Sequence, residues 1–290
     1  MKALIVGAGG QVGRALVAAR PAEVDVVALG HMDLDISDAA AVDARLKECA
    51  PDVVINAAAY TAVDNAEKEP DAAKRANEIG PLNLARAASG LGECRLLHVS
   101  TDFVFDGQSV TPYRPDSQTA PLGVYGQTKL DGERRVLGAL GDRAIVLRTS
   151  WVYDSSGRNF VRTMLRLMNE RRAVRVVADQ VGTPTSAHSV ANVLWHFAQD
   201  KRLSGTYHWS DAGIASWYDF AVAIAEEGAA LGLVPKDVEV TAIVTEEYPT
   251  PAKRPAFSAL DKRATVAALG IEPVHWRARL RTVLGEIARA

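Results

Sequence analysis

A glycine-rich loop that follows the first apolar run limits most strongly how this chain can fold. The run KALIV ends directly before Gly7, and Gly10 and Gly13 lie at the start of an apolar helical stretch. Glycines at such a turn let backbone N–H groups approach a pyrophosphate at the positive end of a helix, and the last glycine permits close packing of helix on strand. The strand–loop–helix context therefore predicts a dinucleotide-binding loop.

Apolar runs alternate with helical stretches through the first half of the chain, which predicts its fold class. After KALIV the runs are DVVAL, DVVINAAA, RLLHVS and AIVLRTS. Continuous hydrophobics indicate strands covered on both faces, and their alternation with helices favours a parallel sheet. We expect an α/β fold, with a Rossmann-type doubly wound parallel sheet in residues 1–150 that also takes in about 176–205. An irregular rhythm from Trp151 onward predicts a smaller C-terminal α/β substrate-binding domain, mainly residues 151–290.

Composition excludes several classes of partner. The chain has 290 residues, 48% of them hydrophobic, and a formal net charge of -2, so it carries no electrostatic signature of nucleic acid or membrane binding. No apolar run approaches the roughly 20 residues of a membrane span, and MKALIVGAGG is too short for a signal segment. Two cysteines, Cys49 and Cys94, are too few for a disulfide framework, and we expect both to be buried. A cytoplasmic location is expected.

The end of the second strand bears on the choice of cofactor. A carboxylate at this position holds the ribose 2′-hydroxyl and favours NAD. The run VVALGHMD places Gly30 there, with His31 next, so a 2′-phosphate meets less repulsion and His31 can help to receive it. NADPH is therefore favoured over NADH. The alternative is that the Asp33 carboxylate swings in and restores the preference for NADH.

Tyr125 and Lys129 form the candidate catalytic pair. Residues four apart lie on one face of a helix, about 6 Å apart along its axis, so the two can act on one small molecule. A nearby ammonium group lowers the pKa of a phenol and makes it a better proton donor, which ketone reduction requires. Ser100, Thr101 and Asp102 end a strand upstream, and open α/β sheets bind ligands at the carboxyl ends of their strands.

Motifs along nearly the whole chain narrow this interpretation. In order they are VINAAAYTAVDNAE, HVSTDFVFDG, PLGVYGQTKLDGE, RTSWVY, NFVRTMLRL, DQVGTPT and TPAKRP. In this order the chain resembles the dTDP-4-dehydrorhamnose reductases, which belong to the extended branch of the short-chain dehydrogenase/reductase superfamily. The resemblance implies NADPH- or NADH-dependent reduction of the C4 ketone of dTDP-4-dehydro-beta-L-rhamnose to dTDP-L-rhamnose.

The resemblance also implies roles for individual residues. Tyr125 would donate the proton, Lys129 would lower the pKa of Tyr125 and hold the nicotinamide ribose, and Thr101 would polarise the carbonyl. The implied cofactor contacts are Gly10, Gln11 and Val12 on the pyrophosphate, Asp35 and Ile36 on the adenine, and Ala57, Ala58, Ala59 and Tyr60 along the cofactor. The implied substrate contacts are Thr61, Val63, Asp102, Trp151, Asn159, Phe160 and Arg254, whose guanidinium suits the diphosphate.

The sequence departs from the family at two positions and leaves other functions open. Phe103 stands where many relatives carry tyrosine, and it also argues against a dehydratase, which needs an acid there. His188 stands about where some relatives have a glutamate that bridges a dimer through magnesium, so no metal is expected, and a homodimer and a monomer are both open.

The rival functions are a reductase of another dTDP-4-keto-6-deoxysugar, such as a streptose precursor, and a non-catalytic regulatory subunit. An epimerase that works through a bound cofactor is also difficult to exclude by motif.

Overall fold

The computed structural model describes residues 1–290, and its strands form one large sheet and three two-stranded ones. In chain order the strands are β1 (Lys2–Val6), β2 (Asp25–Leu29), β3 (Val53–Asn56), β4 (Arg95–Thr101), β5 (Ala144–Thr149), β6 (Val152–Tyr153), β7 (Ala173–Val177), β8 (Val181–Gly182), β9 (Thr185–Ser186), β10 (Gly205–His208), β11 (Ala215–Ser216) and β12 (Glu239–Ile243).

Eleven α-helices connect and cover these strands. They are α1 (Gln11–Ala18), α2 (Ala39–Cys49), α3 (Val63–Ala66), α4 (Pro70–Lys74), α5 (Gly80–Ser89), α6 (Val124–Leu140), α7 (Phe160–Arg171), α8 (Ala187–Gln199), α9 (Trp217–Ala230), α10 (Arg263–Leu269) and α11 (Trp276–Arg289). A π-helical turn, Arg75–Ile79, joins α4 to α5, and short 3₁₀ turns cover Asp102–Val104, Gly141–Arg143 and Thr245–Glu247.

The large sheet has the order β10-β5-β4-β3-β1-β2, and all of its neighbouring strands are parallel. The predicted α/β fold with a parallel sheet is therefore confirmed. Central strands β3 and β5 are buried at every position, as their uninterrupted apolar runs require when helices cover both faces. The edge strand β2 is more exposed.

Three apolar cores hold these layers together. On one face of the sheet, α1 and α8 bury Leu16 and Leu194 against the strands, and on the other α2, α5 and α6 bury Leu46, Leu84 and Val136. Cys49 and Cys94 are free thiols within the second core, as expected. A separate core lies in the C-terminal part between α7, α9, α11 and strands β7 and β12; its buried residues include Val161, Leu165, Phe220, Ile224 and Leu280.

The chain crosses repeatedly between these two parts. After β5 it leaves the large sheet, and it returns with α8, which packs on α1, and with β10, which pairs in parallel with β5. Trp195 Nε1 on α8 donates to the Leu16 carbonyl oxygen at 3.0 Å. None of the helices combines the length and the apolar character that a membrane span needs.

The connections leave a crevice at one edge of the large sheet. From β1 the chain proceeds to the neighbouring β2 and then to β3 on the other side of β1, so the strand order reverses at β1. Open α/β sheets bind ligands at the carboxyl ends of the strands beside such a reversal. Gly7, Ala57 and Asp102 each follow directly after a strand that ends at this edge.

Candidate active site

The loop after β1 approaches the loop after β3 more closely than any side chain would allow. Gly7 has φ +78°, and a Cβ on it would lie 2.4 Å from the Ala58 backbone nitrogen. A Cβ on Gly13 would lie 2.2 Å from the Gly7 carbonyl oxygen. Helix α1 begins at Gln11 with Gly10 as its N-cap and with no side chain capping it, so its first N–H groups are available to an anion.

The turn after β2 contains a carboxylate. Asp33 Oδ2 accepts the Gly30 N–H at 2.7 Å, while His31 and Met32 are exposed. The Asp33 carboxylate therefore lies at the Gly30 turn, beside the exposed His31. A carboxylate at the end of β2 is the feature that favours a free ribose 2′-hydroxyl.

The expected adenine contacts, Asp35 and Ile36, differ in exposure. The Asp35 carboxylate is exposed and accepts hydrogen bonds from the Ser37 N–H and hydroxyl, which lower the pKa of Asp35. The Ile36 side chain is buried against Gly80, and its carbonyl oxygen accepts from Asn83 Nδ2 at 3.0 Å. The Ile36 side chain therefore belongs to the core, and the exposed polar group of this pair is the Asp35 carboxylate.

The segment after β3 is anchored by two buried asparagines. Asn56 Oδ1 accepts the Ala58 N–H at 3.0 Å, and Asn77 Oδ1 accepts the Tyr60 N–H at 2.8 Å. Ala57 and Ala58 are half-buried and Ala59 is exposed, so small side chains line the crevice where the cofactor is expected. The Tyr60 hydroxyl donates to Glu69 Oε2.

Thr101, Asp102 and Tyr125 meet where β4 ends beside the start of α6. Helix α6 packs on this turn so closely that a Cβ on Gly126 would lie 2.2 Å from the Phe103 carbonyl oxygen. The Phe103 ring packs edge-on against the Tyr125 ring, with 5.5 Å between centroids. The Thr101 hydroxyl lies near the Tyr125 hydroxyl and acts to lower the pKa of that phenol.

The pKa of Tyr125 departs from the expectation drawn from the sequence. Burial raises it to about 12, outweighing the hydrogen bond with Thr101, and the nearby Asp102 charge raises it further. The expected lowering by Lys129 is not found, because Lys129 Nζ instead donates to the Val99 carbonyl oxygen at 2.6 Å. Tyr125 is therefore a fully protonated hydroxyl at neutral pH, which suits a proton donor.

Buried polar side chains surround the amino group of Lys129. His98 is fully buried, with Nδ1 3.0 Å from Asn56 Nδ2 and Nε2 3.4 Å from Lys129 Nζ. Because Asn56 uses its oxygen for Ala58, its amide nitrogen donates to His98 Nδ1, and neutral His98 then carries its hydrogen on Nε2. This edge of the ring offers Lys129 no acceptor, so the Val99 carbonyl oxygen is the group that holds the Lys129 ammonium. Burial lowers the pKa of Lys129 to about 8, although the Glu133 charge opposes this.

Asp102 has a buried oxygen without a partner. The residue is 1% exposed; its Oδ1 accepts from the Thr101 hydroxyl at 3.1 Å, and its Oδ2 has no hydrogen-bond partner. Burial raises the pKa of Asp102 to about 6, despite hydrogen bonds that lower it. An unpaired buried carboxylate oxygen costs stability, and it is an acceptor that a ligand hydroxyl can satisfy.

We expect Asp102→Asn to stabilise the protein in a pH-dependent way. A carboxyl whose pKa is about 6 when folded and about 3.8 when unfolded keeps its proton longer in the native state, so the wild type loses stability as the pH rises between these values. The loss amounts to at most about 3 kcal/mol at 1.36 kcal/mol per pKa unit. Urea unfolding near pH 7 and near pH 4 measures this. An advantage of Asp102→Asn that is the same at both pH values would contradict the assignment.

The C-terminal part of the chain contributes an aromatic stack. Trp151, with φ 48°, stacks on Trp217 at 3.5 Å between ring centroids, and Phe160 packs against the Trp217 ring at 4.6 Å. Gly182 allows this stack, since a Cβ on it would lie 2.7 Å from the Trp151 ring. A non-glycine residue in the left-handed region is strained, so packing must hold Trp151 there.

Beside this stack lies a cavity of about 760 Å³, the C-terminal cavity, which is bounded by α7, β7, β12 and the segment that follows them. Its lining includes Phe160, Gln180, Trp217, Tyr248 and Arg254. Arg254 Nη2 donates to Asp64 Oδ2 at 2.7 Å, which joins the C-terminal part to α3. A concave, partly aromatic pocket with a few placed polar groups is typical of small-molecule sites.

The remaining predicted substrate contacts, Thr61, Val63 and Asn159, lie on two separate segments of the chain. Val63 is half-buried at the start of α3 and Thr61 is exposed just before it, both beside Asp64. Asn159 caps α7, since its Oδ1 accepts the Arg162 N–H and its Nδ2 donates to Gln11 Oε1 at 2.9 Å. The Asn159 side chain is thus used in structure and links the α7 cap to the glycine loop.

His188 has acidic neighbours but also a cation nearby. Its Nε2 lies 3.5 Å from Asp154 Oδ1 and its Nδ1 lies 3.8 Å from Glu286 Oε1, and the three form a group whose ligand atoms lie within 4.8 Å of one another. The Arg14 guanidinium lies 3.8 Å from Asp154 and neutralises part of its charge. The nearby carboxylate raises the pKa of His188.

Sequence reasoning did not single out three groups of residues at the site. Asn56 and His98 lie within strands and gave no signal beyond their polarity in apolar runs. Asp64 was visible within the motif YTAVDNAE, and Trp217 within the aromatic run SWYDF, but the partner of each lies far away in sequence.

Comparison with known proteins adds to this geometry. A family model described as "RmlD substrate binding domain" matches residues 1–289. A dTDP-4-dehydrorhamnose reductase of Aggregatibacter actinomycetemcomitans is 42% identical over 97% of both chains. A protein of Streptomyces antibioticus, described as a probable dTDP-4,6-dihydroxy-2-methyloxan-3-one 4-ketoreductase, is 42% identical over 100% of this chain and 97% of its own.

Among solved structures, a dTDP-4-dehydrorhamnose reductase of Bacillus anthracis str. Ames in complex with NADP superposes with a TM-score of 0.91. It is 35% identical in sequence, over 98% of this chain and 99% of that one. The similarity therefore extends over both parts of the molecule, including the crevice and the C-terminal cavity.

Proposed function

Because the chain belongs to the RmlD substrate binding domain family, we propose that it reduces the C4 ketone of dTDP-4-dehydro-beta-L-rhamnose to dTDP-L-rhamnose with NAD(P)H. It is an oxidoreductase acting on the 4-keto group of a dTDP-sugar. The observation that carries the proposal is the meeting of Thr101, Asp102 and Tyr125 at the carboxyl edge of the sheet, with Lys129 on the same helix as Tyr125.

The residues around the crevice fit a dinucleotide. The backbone cradle at Gly7 and Gly13 has no room for side chains, and the first turn of α1 offers N–H groups that no side chain caps. Gly10, Gln11 and Val12 would hold the pyrophosphate, while Ala57 to Tyr60 would line the path toward Lys129. His31 would meet a 2′-phosphate and Asp33 a 2′-hydroxyl, so this turn determines the preference between NADPH and NADH.

The cofactor and the protein supply different parts of the reaction. When bound, NAD(P)H supplies the hydride for the carbonyl carbon of the sugar. As charge develops on the carbonyl oxygen, the Tyr125 hydroxyl donates its proton there, and the Thr101 hydroxyl, which donates to Asp102 Oδ1 in the free protein, would turn to donate a hydrogen bond to the same oxygen. Lys129 would hold the nicotinamide ribose, and its pKa of about 8 lets it release or regain a proton near neutral pH.

The substrate would extend from this centre into the C-terminal part. Asp102 Oδ2, buried and without a partner, would accept a sugar hydroxyl, and Trp151 would lie beside the ring. The nucleotide would occupy the C-terminal cavity beside Phe160, with Arg254 at the diphosphate. In this proposal residues 1–150 with the segment around 176–205 bind the cofactor, and the remainder of 151–290 binds the sugar nucleotide.

Turnover tests the proposal directly. We expect rapid NAD(P)H oxidation with dTDP-4-dehydro-beta-L-rhamnose and little with the non-epimerised 4-keto-glucose nucleotide, because the cap must recognise sugar stereochemistry. Running NADPH beside NADH shows whether His31 or Asp33 determines the cofactor preference. Cofactor binding is measured separately by fluorescence. Binding without turnover of this sugar would contradict the substrate, and absence of cofactor binding would contradict the oxidoreductase and favour a regulatory subunit.

A second substrate has a specific observation behind it. The similar protein of Streptomyces antibioticus is described as acting on a different dTDP-linked ketosugar at an identity of 42%, equal to that of the rhamnose-type relative. Both reactions reduce a C4 ketone and require the same proton donor. Comparing kcat/KM for the two sugars distinguishes them.

A further inference from the structure

The ion pair between Asp64 and Arg254 joins the loop beside the crevice to the C-terminal cavity. Arg254 Nη1 and Nη2 donate to Asp64 Oδ1 and Oδ2 at 3.1 and 2.7 Å. The Ala252 N–H also donates to Asp64 Oδ1, at 3.2 Å. Asp64 lies on α3, directly after the segment expected along the cofactor, and is separated from Arg254 by 190 residues.

The geometry of this pair divides the donors of Arg254 into two edges. A guanidinium has five N–H groups in a planar fork, and the carboxylate takes the edge formed by Nη1 and Nη2. The Thr250 hydroxyl and the Ala252 carbonyl oxygen also accept from Nη1, at 2.5 and 3.1 Å. Nε makes no hydrogen bond within the chain, so the edge formed by Nε and the second Nη2 hydrogen remains for another acceptor.

We propose that Asp64 is a positioning residue, which holds one edge of the Arg254 guanidinium so that the other edge binds the diphosphate of the sugar nucleotide. An arginine side chain free to rotate loses substantial entropy when it binds. Asp64, Thr250 and Ala252 remove that freedom before the ligand arrives, since the Arg254 side chain is only 24% exposed. The inference rests on the proposed role of Arg254 at the diphosphate.

Repulsion between the Asp64 carboxylate and an anionic ligand acts against positioning, which makes the proposal testable. The Asp64 carboxylate adds negative charge beside a site for an anion, so its removal alone would strengthen dTDP binding if orientation did not matter. The hydrogen bond from Arg254 is also the main cause that lowers the pKa of Asp64, so the carboxylate remains charged at neutral pH. The sign of the effect therefore distinguishes positioning from simple repulsion.

Calorimetric binding of dTDP and of thymidine to the full chain provides the test, because it requires no turnover. We expect Asp64→Ala, and the nearly isosteric Asp64→Asn, to weaken dTDP about ten-fold, the size of one charge-assisted hydrogen bond. Thymidine, which has no phosphate, should bind equally to all variants, and so should NADPH. Arg254→Ala should weaken dTDP at least as much, and adding Asp64→Ala to it should not weaken binding further, because only the repulsion by the carboxylate is then left to remove. In turnover, KM for the sugar nucleotide should rise while kcat at saturation is kept.

Asp237→Ala is the matched control. Asp237 accepts two hydrogen bonds from Arg172, both at 2.9 Å, and neither residue lines the C-terminal cavity, so dTDP affinity should not change. Unchanged or tighter dTDP binding by Asp64→Ala, beside weakened binding by Arg254→Ala, would overturn the positioning role. Unchanged binding by Arg254→Ala would overturn its contact with the diphosphate, and a wild type that binds no dTDP would contradict the proposed function itself.

Discussion

Replacing Tyr125 with phenylalanine should lower kcat by a factor of about 10² to 10⁴, the usual contribution of a positioned general acid. The Tyr125 hydroxyl lies beside Thr101 and keeps its proton through neutral pH, as a phenol with an ordinary pKa of about 10 already does, and burial raises the pKa of Tyr125 further, to about 12. Without it, the developing alkoxide must take its proton from water. Pre-steady-state measurement of NADPH oxidation gives the rate of the chemical step.

The fold and cofactor binding should survive this change. The Tyr125→Phe variant would keep the edge-on contact with Phe103, which is made by the ring and not by the hydroxyl. Tyr153→Phe is the matched control, since its buried hydroxyl donates to the Trp276 carbonyl oxygen in the C-terminal core. That variant should lose a little stability and keep its kcat. A Tyr125→Phe rate within a few-fold of the wild type would show that another group supplies the proton.

Glu133→Ala should reduce the free energy of unfolding by about 3–5 kcal/mol, because it leaves a buried guanidinium without its counter-charge. The carboxylate of Glu133 accepts from Arg148 Nε and Nη2 at 2.9 and 2.7 Å, and the side chains of Arg148 and Glu133 are 6% and 2% exposed. The Ser100 hydroxyl on β4 donates to the same carboxylate. This pair fixes helix α6, and therefore Tyr125 and Lys129, to strands β4 and β5.

Two comparisons separate burial from charge pairing in this experiment. Glu170→Ala breaks an exposed pair with Arg166, and we expect a change of about 0.5 kcal/mol or less in urea unfolding. The double variant Glu133→Gln with Arg148→Met removes both charges and should recover part of the loss, since no buried charge is then left without its partner. If Glu133→Ala and Glu170→Ala cost the same, the buried pair is not what holds α6 in place.

The sequence predicted the parts of the site that are local in the chain. The glycine loop could be predicted because strand, turn and helix follow one another within a few residues, and Tyr125 with Lys129 because helix periodicity places them on one face. The parallel sheet could be predicted from uninterrupted apolar runs. These features depend on short stretches whose geometry is fixed by backbone sterics and helix periodicity.

The features that the sequence did not predict depend on contacts between residues that are distant in the chain. The Lys129 amino group turns to the Val99 carbonyl oxygen and His98, which only the packing of α6 on β4 determines. Asn159 becomes a helix cap that reaches Gln11, and Asp64 meets Arg254, because two parts of the chain meet there. Strands of two residues, such as β6 and β9, have no periodicity from which to predict them.

The chain returns to the large sheet only with α8 and β10, and this order affects how the protein folds during synthesis. Strand β10 forms the outer edge beside β5, Trp195 bonds to α1 at Leu16, and Arg95 donates to the Phe197 and Leu203 carbonyl oxygens. During synthesis on the ribosome, a nascent chain that ends after β5 would expose one face of its sheet and leave β5 as an unpaired edge. Completion of the large sheet must therefore wait until α7 and strands β6 to β9 have been translated, and the two parts of the molecule form in an interleaved order.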